Sequence, residues 1–370
     1  MKFSEVIGQE EVKDQLLKQL RTGNIPHAQL FHGPEGVGKL PMALAYASAL
    51  LCTNPQNGEA CGTCTACKMT NKLQHPDLHF VFPIHQSKKF SDNFISQWRE
   101  QIEETPYFAM TDWQERLNVE NQQVHIFVAE SDRILRKISL TSQQGGYKVM
   151  IIWQADLMNV ETANKLLKIL EEPTPQTAFI LISNHPDRLL PTILSRTRRM
   201  EFRPLTEGEI STALRQRNAL QPDDAAIIAH QSAGSYVRAL QQIHISEENE
   251  TFFDFFVMLM RLGYGRKVRD LSQWTDRVAE WGRERQKRFL AYAQNLVREN
   301  FIYNFREQEL IYMSKKESEF AKNFSRFVNE RNVYGMMDEL ADAERDISSN
   351  GNAKIVFFDL ALKIIMLIKK

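Results

Sequence analysis

The sequence has no surplus of either charge: Lys plus Arg and Asp plus Glu both number 46, so the formal net charge is zero. Bulk basicity therefore does not announce a nucleic-acid binder, and any DNA contact has to be local or shared with partners. The chain also lacks any run approaching the roughly 18 uninterrupted apolar residues of a membrane-spanning helix, and its opening MKFSEVIGQE lacks the apolar core of a signal peptide. The expectation is a cytoplasmic protein without a membrane partner. The most apolar stretch, IVFFDLALKIIMLIKK, is broken by Asp359 and Lys363, which predicts an amphipathic helix packed on protein. Internal repeats and low-complexity tracts are absent. Cysteine is scarce, and all four copies fall within sixteen residues.

What is present divides the 370 residues into roughly two or three domains. The first two hundred residues alternate strand-like and helix-like runs, the signature of an α/β domain with a parallel sheet. Candidate strands are AQLF before a glycine-rich loop, VHIFV from Val124, KVMIIW from Lys148, AFILIS from Ala178 and RMEF ending at Phe202. Ala163, Leu166, Leu167 and Leu170 recur at helical spacing, with Pro173 beyond them to stop the helix. Residues 81–119 are mixed in period and read as an insertion with helix near FISQWREQIEE. After FRPLT the strands stop and helical period takes over, as in KRFLAYAQNLVRENFIYNF, where Phe289, Leu290, Ala293, Leu296 and Val297 share a face. Two helical units are expected, with the SEENE run, Ser246 to Glu250, as their linker.

Cys52, Cys61, Cys64 and Cys67 give C-x8-C-x2-C-x2-C. Tetrahedral Zn²⁺ takes four thiolates, and C-x2-C lets a tight turn aim two sulfurs at one ion. Unpaired thiols and disulfides are the alternatives; scattered core thiols would not cluster in this way, and disulfides do not suit a cytoplasmic chain. A closed four-thiolate site leaves no position for water, so the zinc is expected to be structural.

Residues 33–40, GPEGVGKL, fit the phosphate-binding pattern G-x-x-x-x-G-K through Gly33, Gly38 and Lys39, with Gly36 between. The next position should carry a Ser or Thr hydroxyl for Mg²⁺ and is Leu40. A hydrolysing site of this type also needs carboxylates at the end of a second strand. After VMII this chain has Trp153 and Gln154; an indole offers no metal-binding oxygen, and an amide does not take a proton from water. Asp156 could supply a metal ligand only if that strand ran longer. Leu40 and the Trp153-Gln154 pair are two losses in one piece of machinery, and the expectation is nucleotide binding that is weak and metal-insensitive, or absent.

FSEVIGQEEVKDQLLKQLRTGNIPHAQLFHGPEGVGK, the cysteine knuckle followed by HPD, ANKLLKILEEP and LPTILSRTRRMEF together closely resemble the delta-prime family of bacterial DNA polymerase III clamp-loader subunits, a branch of the AAA+ proteins. The match covers about residues 1–245; the rest fits by layout. The resemblance implies an α/β AAA+ (P-loop) domain at 1–204 with an inserted zinc knuckle at 52–67, a helical lid at 205–245 and an all-α collar at 246–370 through which five subunits form a ring. In the hydrolysing loader subunits, the position of Leu40 is Ser or Thr and that of Trp153-Gln154 is Asp-Glu. The lid motif places an arginine two residues after a pair like Gly234-Ser235; here that place is Val237, with Arg238 rotated about 100° around a helix. Ser195-Arg196-Thr197 stands where the family has Ser-Arg-Cys, so Arg196 resembles an arginine finger offered to ATP on a neighbouring subunit, a group that contributes on the order of 10³ or more in rate. Without the resemblance, Arg196, Arg198 and Arg199 read as a solvated basic run, and either of the latter two as a phosphate contact. Ser183-Asn184 occupies the place of a polar phosphate sensor.

The resemblance thus implies a non-hydrolysing clamp-loader subunit that completes a motor subunit's ATP site in trans and helps load the sliding clamp onto primed DNA. Its implied partners are motor subunits and a delta-like subunit in a heteropentamer, with polymerase activity belonging to the holoenzyme. The alternatives are an active ATPase motor subunit of the same loader and a zinc-dependent nucleic-acid-binding module. Against the second, no Lys or Arg lies between the first and last cysteines.

Overall fold

The computed structural model describes residues 1–370 except 87–88, 120–121, 140, 173, 306–312, 314 and 370, with backbone alone at 244–246 and 315. Two compact units are present, Met1–Gln242 and Ile243–Lys370.

The first unit is built on five parallel strands, β1 (Ala28–His32), β2 (Leu78–Val81), β3 (Lys148–Ile152), β4 (Thr177–Ser183) and β5 (Arg198–Glu201), in the order β2-β3-β4-β1-β5. Every residue of β3 and β4 is buried, as expected where helices cover both faces of a parallel sheet. Alternation sorts the side chains: Phe31, Ile151 and Ile180 face one core, and Leu30, Met150 and Leu181 the other. Helices α1 (Glu10–Thr22), α2 (Lys39–Leu51) and α3 (Thr65–Asn71) precede β2. Between β2 and β3 come α4 (Ile95–Glu104), α5 (Met110–Arg116) and α6 (Val128–Ser139). Then α7 (Val160–Glu171) leads to β4, the short α8 (Pro191–Leu194) to β5, and α9 (Glu207–Arg217) and α10 (Pro222–Gln231) follow the sheet. α7 starts at Asn159, whose side chain accepts the N–H of Thr162 at 2.9 Å. Pro173, expected to stop it, lies outside the described residues. α9 begins with a capping box in which Thr206 and Glu209 bind each other's backbone N–H.

Two expectations need correction. VHIFV is no strand: His125 and Ile126 make only isolated bridges, to Ile84 and Met158, and Val128 already opens α6. The edge strand beside β3 is LHFV instead, a four-residue run too short to stand out by period. The Ser246–Glu250 stretch is helical, inside α11 (Tyr236–Tyr264); it holds no Gly or Pro, and Glu is a good helix former, so nothing there stops a helix.

Among its described residues the second unit adds α12 (Val268–Ala279), α13 (Arg283–Tyr303), α14 (Lys315–Phe324), α15 (Val333–Ser348) and α16 (Ala353–Leu367). α13 packs on α15 and α12 on α16, around a core that includes Phe256, Trp274, Phe289, Leu340 and Phe357. The apolar C-terminal stretch forms α16, which buries Phe357, Leu360, Ala361 and Ile364. No helix among the described residues is long and apolar enough to cross a membrane.

Candidate functional site

The glycine loop joins β1 to α2 at the carboxyl ends of the strands, where ligands of open parallel sheets gather. Two of its glycines are required sterically. A Cβ on Gly33 would stand 2.2 Å from the carbonyl oxygen of Phe202, and one on Gly36, at φ +81°, 2.0 Å from Ser235 Oγ. The Gly36 carbonyl accepts the N–H of Tyr236 at 3.0 Å, so the loop is tied to the start of α11.

Lys39 is buried, and its ammonium turns back on its own loop, donating to the carbonyl oxygens of Gly33, at 2.7 Å, and of Pro34. Burial pushes it down to about 7, while the nearby carboxylates of Glu35 and Asp156 act in the opposite direction. Leu40, at 5% exposure, contributes to the core rather than to a metal site.

β3 ends at Ile152, so the place of the missing carboxylates falls on Trp153 and Gln154, both buried. The Trp153 ring lies 5.0 Å from that of Phe108 and 5.3 Å from that of Trp98, centroid to centroid. Asp156 sits in a 3₁₀ turn after the strand and accepts the Ser183 hydroxyl at 2.7 Å. Ser183 is thereby occupied, and its oxygen accepts the N–H of His185 at 3.0 Å. The Asn184 amide points toward Glu35 Oε1 at 3.5 Å. Val237 meets the loop, its Cβ lying 3.0 Å from a Cβ built on Gly36, whereas Arg238 is exposed. The space left among Lys39, Leu40, Tyr107, Phe108, Trp153 and Val237 is about 30 Å³. Small-molecule sites span roughly 300–1,000 Å³.

Tyr107 and Phe108, from the 81–119 insertion, were not recognisable as site residues from sequence. The available signal was aromatic density: Phe82, Phe90, Phe94, Trp98, Tyr107, Phe108 and Trp113 all fall in that stretch. Trp98 and Trp113 form its buried centre, with Trp98 stacked on Phe82 at 4.3 Å and the Trp113 indole N–H donating to the Pro83 carbonyl at 2.9 Å.

Arg196 follows α8, away from this core. Its guanidinium pairs with Glu171 at the end of α7, Nη2 to Oε1 at 2.7 Å, and donates to the Thr192 carbonyl at 3.0 Å. Its side chain is 35% exposed and that of Glu171 49%. Thr197 is buried, and its hydroxyl donates to the Ile193 carbonyl at 3.0 Å. Arg198 and Arg199 lie exposed on the edge strand β5.

The four cysteine sulfurs lie within 4.8 Å of one another, and the Cys52–Cys64 and Cys61–Cys67 pairs are both 3.9 Å apart. A bonded disulfide is about 2.05 Å, and a tetrahedron of Zn–S bonds of about 2.3 Å has S···S edges near 3.8 Å. The cluster therefore has the dimensions of a four-thiolate metal site. Backbone N–H groups complete it: that of Cys61 donates to Cys52 Sγ at 3.3 Å, that of Cys64 to Cys61 Sγ at 3.4 Å and that of Cys67 to Cys64 Sγ at 3.4 Å. Donors of this kind stabilise thiolate charge and orient the ligands.

A parallel sheet with a glycine loop and lysine between its first strand and the next helix defines a P-loop α/β module. The family model described as "DNA polymerase III, delta subunit" matches residues 8–206, more than half of the chain, and the chain belongs to that family. It is 36% identical over 170 residues to DNA polymerase III subunit delta-prime of Pseudomonas aeruginosa, covering 46% of this chain and 41% of that protein. It is 30% identical over 222 residues to the Bacillus subtilis subunit of the same name, covering 60% of this chain and 55% of that one. The resemblance to delta-prime subunits thus holds, although the chain spans only about half the length of these relatives. Among solved structures, the Thermotoga maritima RuvB Holliday junction branch migration motor covers 68% of this chain and 65% of its own at 18% identity and a TM-score of 0.41, too loose a likeness to bear on function.

Proposed function

We propose that this chain is a non-hydrolysing subunit of the replicative clamp loader that completes the ATP site of an adjacent motor subunit with Arg196. The observation that carries the reading is the state of its own loop. Lys39 is spent on the carbonyls of Gly33 and Pro34, and Leu40 and Trp153 stand where Mg²⁺ would need oxygen ligands. Gly33, Gly36, Gly38 and Lys39 then serve as a fold element that binds nucleotide weakly or not at all. Arg196 has the opposite character: partly exposed, cationic and outside its own chain's loop. A guanidinium presented to a neighbour's γ-phosphate stabilises the charge that spreads over it in the transition state.

In this reading the chain joins motor subunits and a delta-like subunit in a heteropentamer, with residues 205–245 as lid and 246–370 as collar. The assembly places the sliding clamp on primed DNA, and polymerase chemistry belongs to the holoenzyme. Cys52, Cys61, Cys64 and Cys67 hold a structural Zn²⁺, which has no open coordination position and takes no part in turnover.

The test is the DNA- and clamp-stimulated ATPase of a reconstituted loader containing this chain or its Arg196→Ala variant, with assemblies matched by size-exclusion chromatography. A collapse in rate with assembly intact is expected; an unchanged rate overturns the trans role. ATP turnover by the purified chain alone, abolished by Lys39→Ala, would establish a motor subunit instead.

A further inference from the structure

The 81–119 insertion has no part in the function derived so far, yet its tip lies where a nucleotide would have to bind. We propose that Pro106-Tyr107-Phe108 is a resident occupant of the loop's ligand compartment: it substitutes for a nucleotide and locks the glycine loop to α9 and α11 in one arrangement. This deepens the non-hydrolysing part of the reading above and is independent of Arg196.

The tip touches four of the elements around the compartment. Tyr107 is 3% exposed, and its hydroxyl accepts the N–H of Ile7 at 2.9 Å while lying 3.4 Å from a Cβ built on Gly38, the residue that caps α2. Its ring meets that of Tyr236, at the start of α11, edge-on at 5.0 Å. Arg217, the last residue of α9, lies over both rings, 5.5 Å from Tyr107 and 5.9 Å from Tyr236, and donates to the Glu5 carbonyl. Phe108 packs on Trp153, which stands in the place of the metal-binding acid. Four walls of the site are thus joined through two aromatic side chains: the N-terminal segment, the phosphate loop, the end of β3 and the helices after β5.

The tip is also tied down at both ends. Thr105 closes α4, its N–H donating to the Gln101 carbonyl at 3.0 Å, and its hydroxyl oxygen accepts the Tyr107 N–H at 3.1 Å. Pro106 fixes its own φ. Asp112 then caps α5 by accepting the Ala109 N–H at 2.7 Å. A tip held from both sides loses little entropy on docking, and as part of the same chain it competes with free nucleotide at an effective concentration of millimolar order or more. Restoring Thr at position 40 would therefore not restore nucleotide binding while the tip stays in place. It follows that α9 and the first turn of α11 hold one position whatever the ATP level.

The test is calorimetric titration of the full chain with ADP and ATP, with and without Mg²⁺. The wild type is expected to bind weakly or not at all. The Tyr107→Ala/Phe108→Ala variant is expected to bind ADP at least about tenfold more tightly than wild type, without dependence on Mg²⁺, because the loop amides and Lys39 regain an anion. Adding Lys39→Ala should remove that gain. A folded double variant that binds no better than wild type overturns the proposal, as does wild-type protein that already binds as tightly. Should the double variant fail to fold, hydrogen exchange of the wild type decides: amides of residues 33–39 and 236–238 should exchange at the same rate with and without saturating ADP, and protection by ADP would refute an occupied compartment. Failure here leaves the Arg196 experiment standing, since that reads turnover on another subunit.

Discussion

Two basic residues of one module have met opposite fates. Lys39, which serves the chain's own phosphate loop, is buried, hydrogen-bonded to backbone carbonyls and walled in by aromatic rings. Arg196, which lies outside that loop and which the proposed reading assigns to another chain's phosphate, remains partly exposed, held by an ion pair with Glu171 and a hydrogen bond to the Thr192 carbonyl. In the proposed reading the site that would receive a phosphate has been filled, and the group lent to a neighbour has been kept. A protein losing function wholesale would have no reason to treat the two differently.

The largest effect should come from the lent group. Arg196→Ala in an assembled loader is expected to lower stimulated ATP turnover by on the order of 10³, and Arg196→Lys should not rescue it, because a point charge does not reproduce the planar fork. A loader in which both variants turn over normally would erase the contrast.

On the filled side the effects should appear as stability. Trp98→Ala removes the ring shared by Phe82, Trp113, Phe108 and Trp153 and should cost about 3–5 kcal/mol in denaturant unfolding. The same change should leave the catalytic contribution of Arg196 intact in whatever protein folds. For the cysteine module, metal analysis of gently purified protein should return one zinc per chain, and Cys64→Ser should lose it and speed hydrogen exchange across 52–67. Protein with four freely titrating thiols and no metal would remove the zinc assignment.

These contrasts were unequally legible in the sequence. Leu40 and Trp153-Gln154 could be read because each is judged against a neighbour in the chain: a lysine one residue away, a strand ending one residue before. β1, β3 and β4 were likewise legible, since a buried strand writes its apolar run locally. The occupant was hidden, because Tyr107 reaches Gly38 and Ile7 across long sequence separations and its own stretch obeys neither helical nor strand period. VHIFV shows the reverse error, a run with strand composition for which the sheet had no place. The partner of Arg196 was invisible for the same reason, since Glu171 lies on a different helix and reads in sequence only as part of LEEP.

That partner gives a smaller prediction. Exposed ion pairs contribute about 0–1 kcal/mol, so Glu171→Gln should change loader turnover by no more than about fivefold. A rise in rate would mean that Glu171 stores the guanidinium away from the neighbour's phosphate, and a fall that it aims it. A loss as large as that of Arg196→Ala would show that the two act as one unit.

The smallest expected effect on turnover falls on the most recognisable residue. In a motor subunit the loop lysine holds the outer phosphates, and its loss stops hydrolysis; here Lys39→Met should leave the turnover of the assembled loader unchanged. Its signature lies in stability against pH. Lys39 is held near 7 when folded and returns to about 10.4 when unfolded. Between those values the unfolded chain binds the extra proton, so this residue makes stability rise with pH from about 7 to about 10.4 and contributes no slope below that window. Lys39→Met should remove that rise, as read from denaturant midpoints at pH values across the window. If the variant keeps the rise, the lysine is not buried in its own loop, and the difference between the filled site and the lent arginine would have to be explained without it.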